Sequence, residues 1–296
     1  MYQVLAAHDL AARSDVALVR AARLAFDRKG HLTILHVVDS DLPAHVVDAQ
    51  RMRTENDLEI GVRRWLGNDT PSYRIEIVSG DPAATIAAEA DARAVDLVVT
   101  GRHRRRPVAD LFVGTTVERL LRLTRRPILV VNNPNQAPYQ SVLIPVDFSD
   151  ASTAAIRLAA TFLPKANLHL LHAYKGAFQD YVAALSLTFS REERAKFAGP
   201  IGEQAKQAMS RLIDTLGLGA RGPSITIKNG DASALIEEEL ALQKTDLVVM
   251  GTHARSGIAH ALIGSVAETV LGLTTCDMLV VPVPEPSWSS AHQDLT

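Results

Sequence analysis

The sequence predicts a duplicated α/β protein in which each half forms a five-stranded parallel sheet with helices on both faces. The duplication is visible because VDLVVTGRH around Asp96 returns as TDLVVMGTH around Asp246, an offset of 246 − 96 = 150 residues. A period of this length corresponds to a whole domain and not to a solenoid repeat. In both halves short apolar runs alternate with helical segments, which is the pattern of parallel βαβ units.

The predicted strands are short apolar runs, typical of strands that are buried on both faces of a sheet. In the first half they cover residues 3–7, 32–37, 73–78, 96–100 and 128–131. In the second half they cover residues 141–146, 167–172, 224–228, 246–250 and 278–283. The helices predicted between the second set cover residues 151–162, 191–216, 232–243 and 265–273. Gly217 or Gly219 is the expected stop of the second of these helices.

The two halves differ in length at one place. Asp9 matches Asp147 at an offset of 147 − 9 = 138, so extra residues lie between Tyr174 and Gly230 of the second half. They include a stretch at 175–197 with several aromatic and aliphatic side chains. The polar, proline-bearing residues 132–140 form the expected linker. The predicted domains are therefore 1–136 and 137–284, followed by a flexible tail at 285–296.

Composition restricts the class of protein. The chain has 296 residues, 47% of them apolar, a net charge of −2 and one cysteine, Cys276. This charge gives no global attraction for nucleic acid or an anionic membrane. A single cysteine excludes an internal disulfide framework and fits a reducing compartment. With no signal-peptide pattern and no apolar run long enough to span a bilayer, we expect a soluble cytoplasmic protein.

The loops after the first and fourth strands are the candidate ligand site, because open parallel sheets bind ligands beyond the carboxyl ends of their strands. Gly264-Ser265 opens a helix whose unpaired N–H groups and dipole suit an anion such as phosphate. Ser265 and Glu268 also have the spacing of a capping box, which needs only helix initiation to explain it. Asp9 and Asp147 end strands, where an aspartate can equally cap the next helix.

Other motifs in the chain favour structural interpretations. Residues 217–222 spell G-x-G-x-x-G, but they follow a predicted helix and precede a strand, the reverse of a dinucleotide fingerprint. His253 and His260 lack a third ligand for a metal ion. His36 and His172 fall in buried-strand patterns and are interpreted as core histidines with satisfied hydrogen bonds. The sequence contains no P-loop lysine motif and no G-x-S-x-G motif.

Both halves resemble the universal stress protein family over nearly their whole length. Nucleotide-binding members of that family carry G-x2-G-x9-G-[S/T] after strand four and an aspartate at the end of strand one. The second half keeps the spacing through Gly251 and Gly264-Ser265, with Ala254 at the second glycine. Alanine retains its N–H donor but disfavours a positive φ. The first half has Arg104 at that place, which can contact a phosphate, fill the pocket or point into solvent.

The resemblance implies ATP or a related adenine nucleotide, with or without Mg²⁺, in the second domain only. The residues that it implies for this site are Pro145, Val146, Asp147, Ala173, Met250, Gly251, His253, Ala254, Gly264, Ser265 and Val266. It implies a degenerate site in the first domain, made of Asp9, Gly101, Arg104, Gly114 and Thr115. No catalytic residue and no metal ligand is assigned.

The fold that the resemblance implies is a pair of flavodoxin-like (Rossmann-like) domains, joined as an intramolecular pseudo-dimer through their fifth strands. Homodimers of this unit are a further option. The expected function is a stress-associated regulatory protein that binds an adenine nucleotide and acts on a protein partner that the sequence does not identify. Two alternatives remain open. One is a tandem domain that binds proteins or small ligands without nucleotide, and the other is a slow ATPase.

Overall fold

The computed structural model describes residues 1–38, 44–67, 70–102, 116–174, 191–252 and 264–282. The chain divides into two compact units. Within the described part, the first unit contains residues 1–138 and 275–282, and the second contains residues 139–252 and 264–274. The first boundary between the units falls between Pro138 and Tyr139, and the last strand of the second repeat lies in the first unit.

The first unit is a doubly wound α/β sheet. Its strands are β1 (Gln3–Ala7), β2 (His31–Val38), β3 (Ser72–Ser79), β4 (Leu97–Gly101), β5 (Ile128–Val131) and β10 (Asp277–Val281), in the order β3-β2-β1-β4-β5-β10. Its helices are α1 (Ala12–Asp27), α2 (Ala44–Leu66), α3 (Pro82–Ala92) and α4 (Thr116–Leu123). The first five strands pair in parallel. The order changes direction at β1, which makes the gap between β1 and β4 the switch point of the sheet.

β10 extends this sheet as an antiparallel partner of β5. Leu279 lies opposite Leu129, and Met278 lies opposite Val130. Pairing between the fifth strands of the two repeats, which the family resemblance implied, is therefore present. The strand ends at Val281 and not at residue 283, and the next residue, Pro282, has no N–H to donate to a ladder.

The second unit repeats the first four strands. They are β6 (Ser141–Pro145), β7 (Asn167–Tyr174), β8 (Ser224–Asn229) and β9 (Leu247–Gly251), all parallel, in the order β9-β6-β7-β8. The helices are α5 (Asp150–Phe162), α6 (Arg191–Thr215), α7 (Ala232–Leu242) and α8 (Ser265–Leu273). The α/β fold class with its mostly parallel sheet is confirmed. Here the switch point lies between β6 and β9.

The aspartates of the two most similar segments have a structural role. The Asp246 carboxylate accepts hydrogen bonds from the backbone amides of Gln140 and Ser141, at 2.8 and 2.9 Å. In the first unit the Asp96 carboxylate accepts one from the Gln3 amide at 2.7 Å. Each aspartate therefore connects the start of the first strand of its repeat (β1 or β6) to the start of the fourth (β4 or β9). This role explains why an aspartate precedes the apolar run in both repeats.

The G-x-G-x-x-G segment ends a helix, as predicted. Gly217 follows α6 with a φ of +65°, a left-handed conformation that glycine adopts without a steric penalty. The Leu218 amide donates to the Ile213 carbonyl at 3.0 Å, which completes a helix C-terminus. A short 3₁₀ turn, Gly219–Arg221, then leads into β8.

Candidate functional site

A pocket lies in the second unit at the carboxyl ends of β6, β7 and β9. The starts of α5, α7 and α8 border it, and its cavity volume is about 150 Å³. An apolar cavity of about this volume holds one aromatic ring. The lining residues are Pro145, Val146, Asp147, Ser149, Ala151, Ser152, Leu171, Ala173, Ala232, Ile236, Met250, Gly251, Thr252, Gly264, Ser265, Val266 and Ala267. The pocket occupies the switch point, where doubly wound sheets bind ligands.

Nine of the eleven residues predicted for the second-domain site line this pocket. They are Pro145, Val146, Asp147, Ala173, Met250, Gly251, Gly264, Ser265 and Val266. The other two, His253 and Ala254, lie outside the described residues. The structure thus brings together residues from three strand ends and one helix start that are more than 100 positions apart in the chain.

Asp147 lies just after the carboxyl end of β6, and hydrogen bonds stabilise its ionised carboxylate. Its Oδ1 accepts hydrogen bonds from the Ser149 hydroxyl at 2.5 Å and from the Ser149 amide at 3.0 Å. Burial raises the pKa of Asp147, but these hydrogen bonds outweigh burial, so the pKa lies below its ordinary value. Ser149 then caps α5 by accepting from the Ser152 amide at 3.2 Å. Asp147 therefore does not cap the helix itself but fixes the residue that does.

The start of α8 provides unpaired amides. Gly264 is the N-cap residue, and no side chain caps the helix. The first intrahelical bond runs from the Glu268 amide to the Gly264 carbonyl at 3.0 Å. The three residues between them, 265–267, all line the pocket, and amides in this position have no partner within their own helix. The capping-box interpretation of Ser265 is wrong, because Ser265 is the first helical residue and not the N-cap.

The two glycines of this pocket have different roles. A β carbon at Gly251 would lie 2.5 Å from the backbone carbonyl of Ala151, so glycine is needed there for α5 to pack on β9. Among the described residues, a β carbon at Gly264 would meet only the Thr252 carbonyl, at 3.7 Å, and φ of Gly264 is −59°. Neither backbone conformation nor packing requires glycine at 264. Within the part of the chain that the structure describes, the absence of a side chain there leaves open space in front of the helix start.

The corresponding residues of the first unit are arranged differently. The Asp9 carboxylate accepts from the Ser14 hydroxyl at 2.6 Å and from the Ala11 amide at 3.1 Å, and it forms an ion pair with Arg13. Burial raises the pKa of Asp9, but these contacts outweigh it and lower the pKa. Gly101 would place a β carbon 2.7 Å from the Arg13 carbonyl, the same packing constraint as at Gly251. The other predicted residues, Arg104, Gly114 and Thr115, lie outside the described part of the chain.

Two matches of the universal stress protein family model cover residues 1–132 and 138–282, which together make up nearly all of the chain. The chain belongs to the universal stress protein family. The matches fall on the two sequence repeats, so this member is a tandem universal stress protein. The family is associated with stress.

Individual relatives agree with this assignment. A universal stress protein of Mycolicibacterium smegmatis is 25% identical over 301 residues, covering 95% of this chain and 97% of the relative. Universal stress protein Rv2623 of Mycobacterium tuberculosis is 28% identical over 297 residues, covering 90% of this chain and 92% of the relative. The crystal structure of a universal stress protein from Archaeoglobus fulgidus DSM 4304 superposes with a TM-score of 0.67 at 17% identity, over 95% of this chain and 98% of that one. At that identity the likeness concerns the fold.

In this universal stress protein, sequence reasoning missed part of the pocket wall. The residues it missed are Ser149, Ala151, Ser152, Leu171, Ala232, Ile236, Thr252 and Ala267. Ala232 and Ile236 belong to α7, which follows the third strand of the repeat. Since all carboxyl ends of a parallel sheet lie at one edge, the loop after strand three could have been included with those after strands one and four.

Within the residues that the structure describes, no helix combines the length and the apolar character needed to cross a membrane. In the same residues no three His, Cys, Asp or Glu side chains are grouped so that they could hold a metal ion. His253 and His260 lie outside the described residues.

Proposed function

We propose that the second repeat binds ATP or a related adenine nucleotide, and that the chain works as a nucleotide-gated regulatory protein. The observation that carries the proposal is that Asp147 and the start of α8 line one pocket at the switch point of the sheet. The first supplies a negative hydrogen-bond acceptor, and the second supplies unpaired N–H donors. A nucleotide needs both, because its ribose donates hydroxyl hydrogens and its phosphates accept them.

The chemistry of the pocket wall supports a base between these two polar ends. Val146, Leu171 and Met250 are buried apolar residues of three different strand ends or loops. They present side chains suited to the faces of a flat ring, and small-molecule sites are commonly apolar with a few polar groups that fix orientation. The lowered pKa of Asp147 keeps its carboxylate ionised at neutral pH, as hydrogen bonding to ribose hydroxyls would require.

The start of α8 supports the placement of the phosphates. The helix dipole gives this end a partial positive charge, and a bound phosphate would satisfy the amides of residues 265–267. The open space in front of Gly264 would admit the phosphate oxygens to these amides. A magnesium ion, if it accompanies ATP, would contribute neutralisation of phosphate charge, and no protein ligand is assigned to it.

Calorimetric titration of the full chain with ATP tests the proposal. We expect about one nucleotide per chain, because the ion pair with Arg13 occupies the Asp9 carboxylate of the first repeat. Asp147→Ala should abolish binding, and the matched variant Asp9→Ala should leave it unchanged. Two equivalent sites, or no binding at micromolar protein, would contradict the proposal. The second outcome would favour a tandem domain that binds another small ligand or a protein.

A separate measurement addresses the enzymatic alternative. Release of inorganic phosphate from ATP and magnesium, followed over hours, distinguishes a binding protein from a slow ATPase. We expect release by the wild type to equal release by Asp147→Ala. A rate that depends on Asp147 would move the slow ATPase ahead of the regulatory binding protein.

A further inference from the structure

His172 lies directly behind the wall of the pocket. It is on β7, it is 8% exposed, and its two neighbours in sequence, Leu171 and Ala173, line the pocket while His172 does not. Its Nδ1 is 2.7 Å from the backbone oxygen of Val146. A carbonyl oxygen can only accept, so Nδ1 carries the proton and donates it. His172 thus fixes the residue that precedes Asp147.

The residue after Asp147 also contacts His172. The ring of Phe148 lies with its centroid 4.5 Å from that of His172, tilted by 47°. Phe148 has a φ of +63°, a left-handed conformation that is unfavourable for a bulky side chain and persists only where the surroundings hold it. The imidazole therefore supports the backbone on both sides of Asp147, by a hydrogen bond on one side and ring packing on the other.

We propose that His172 is a positioning residue of the nucleotide site, which holds the Val146–Ser149 turn so that the Asp147 carboxylate points into the pocket. The inference rests on the function proposed above. The start of the turn is also held to β7 by a backbone hydrogen bond, from the Val146 amide to the Leu171 carbonyl at 2.8 Å. Without the imidazole the Val146 carbonyl loses its donor, and the strained turn can relax before ligand arrives. The ligand then has to restore the turn on binding, which weakens its affinity.

The first repeat contains the same arrangement of a buried histidine behind a strained turn, but no nucleotide site is proposed there. His36 Nδ1 is 2.7 Å from the His8 carbonyl, and Leu10, the counterpart of Phe148, has a φ of +63°. There the turn presents Asp9, whose carboxylate is already ion-paired with Arg13. Loss of the imidazole should therefore cost stability in both repeats, but nucleotide affinity only in the second. This gives a control that separates positioning from general stabilisation.

The experiment compares His172→Leu with His36→Leu in the full chain. ATP dissociation constants are measured by calorimetry, and melting temperatures are measured on the same preparations. Both variants should melt at similarly reduced temperatures, since each leaves one buried carbonyl without its donor. His172→Leu should bind ATP at least about tenfold more weakly than wild type, and His36→Leu should bind like wild type.

A second pair of variants keeps the test decisive if His172→Leu fails to fold. The side-chain amide of asparagine can donate from the place of Nδ1, whereas that of glutamine reaches the place of Nε2. His172→Asn should therefore bind ATP more tightly than His172→Gln, which should bind at least about tenfold more weakly than wild type. If the wild type binds ATP and all four variants bind it with the same affinity, the role of His172 is overturned while the proposed function stands. A wild type that binds no ATP would overturn the proposed function and the inference with it.

Discussion

The guanidinium of Arg13 forms an ion pair with the carboxylate of Asp9, whereas the position that corresponds to Arg13 in the second repeat is Ala151, which lines the pocket together with Asp147. The correspondence follows from the offset of the strand-one aspartates, since 13 + (147 − 9) = 151. Both residues lie in the first turn or two of the helix after strand one, four positions after the aspartate. The first repeat thus places a guanidinium beside its strand-one aspartate, and the second repeat places a methyl group at the corresponding position.

An arginine introduced at position 151 should pair with Asp147 and weaken nucleotide binding in the second repeat. Ala151→Arg is expected to pair with Asp147 as Arg13 pairs with Asp9, and ATP binding measured by calorimetry should fall at least about tenfold. Thr161→Arg adds the same charge at an exposed position of the same helix and should bind ATP like wild type. Unchanged affinity in Ala151→Arg would show that the Asp147 carboxylate is not part of the site.

Substitution of Gly264 tests the helix start. Gly264→Val puts a branched side chain into the open space before the amides of residues 265–267 and should reduce ATP affinity by about tenfold or more. The change itself fits the backbone, because φ of Gly264 is −59°. Loss of a glycine N-cap should cost less than about 1 kcal/mol of helix stability.

The control for this substitution is Gly219→Val, where a β carbon would meet nothing within 4 Å and no pocket residue is near in sequence. Nucleotide binding and thermal melting are measured on both variants. A loss of affinity in Gly264→Val that is matched in Gly219→Val would contradict a phosphate site at the start of α8.

The sequence predicted the parts of the pocket lining that depend on strand order. Asp147, Gly251 and Ser265 follow buried strands or open a helix, and parallel βαβ winding alone places such residues at one edge. It did not predict the ion pair of Arg13, because an arginine on an amphipathic helix has the same pattern whether it faces solvent or folds back on Asp9. It also left open whether Ser265 caps α8, since capping depends on backbone angles one residue earlier.

The apolar pattern of the sequence also could not establish by itself that β10 pairs with β5. The apolar run that begins at Met278 predicts a buried strand, but which neighbour it pairs with depends on tertiary contacts. Two of those contacts involve Asp277, which is fully buried and accepts hydrogen bonds from the amides of Asn132 and Asn133 at 2.8 Å each. No sequence period distinguishes such an aspartate from one at a strand end in solvent.

Removal of this buried charge should destabilise the first unit strongly. Asp277 Oδ2 lies 3.7 Å from Nε of Arg20, whose guanidinium also donates to the Ala137 carbonyl at 2.8 Å. Asp277→Asn leaves the arginine without its buried counter-charge, and we expect the free energy of unfolding to fall by about 3–5 kcal/mol. Urea unfolding is followed through Trp65, which reports on the first unit, with Trp288 replaced by phenylalanine.

A surface pair of the same unit is the reference for that measurement. Arg126 lies 3.3 Å from Asp91, whose side chain is 39% exposed, so Asp91→Asn should cost no more than about 1 kcal/mol. Similar losses from the two asparagine variants would mean that Asp277 contributes no more than an exposed ion pair.

The last prediction concerns the pH response of His8, which is buried beside Trp65 in the first unit. Burial lowers the pKa of His8 below its ordinary 6.5, and the neighbouring Asp15 raises it by a smaller amount. Nδ1 accepts from the Leu10 amide at 3.1 Å, so Nε2 carries the proton that is donated to Asp15 at 3.1 Å. His8 is therefore neutral at pH 7. Because the unfolded chain takes up the proton at about pH 6.5 and the folded chain only at lower pH, the free energy of unfolding should decline as pH falls below 6.5.

Trp65 provides the measurement, because its ring stacks on His8 with the centroids 6.0 Å apart at an angle of 26°. Formation of the imidazolium beneath the indole should change its fluorescence, with a midpoint below pH 6.5 in the Trp288→Phe background. His8→Gln should remove this transition. Asp15→Asn should move the midpoint to still lower pH, since the carboxylate of Asp15 favours the charged imidazole. A midpoint at or above 6.5 would show that burial does not control the protonation of His8, and a midpoint that Asp15→Asn does not lower would show that the Asp15 carboxylate does not favour the charged imidazole.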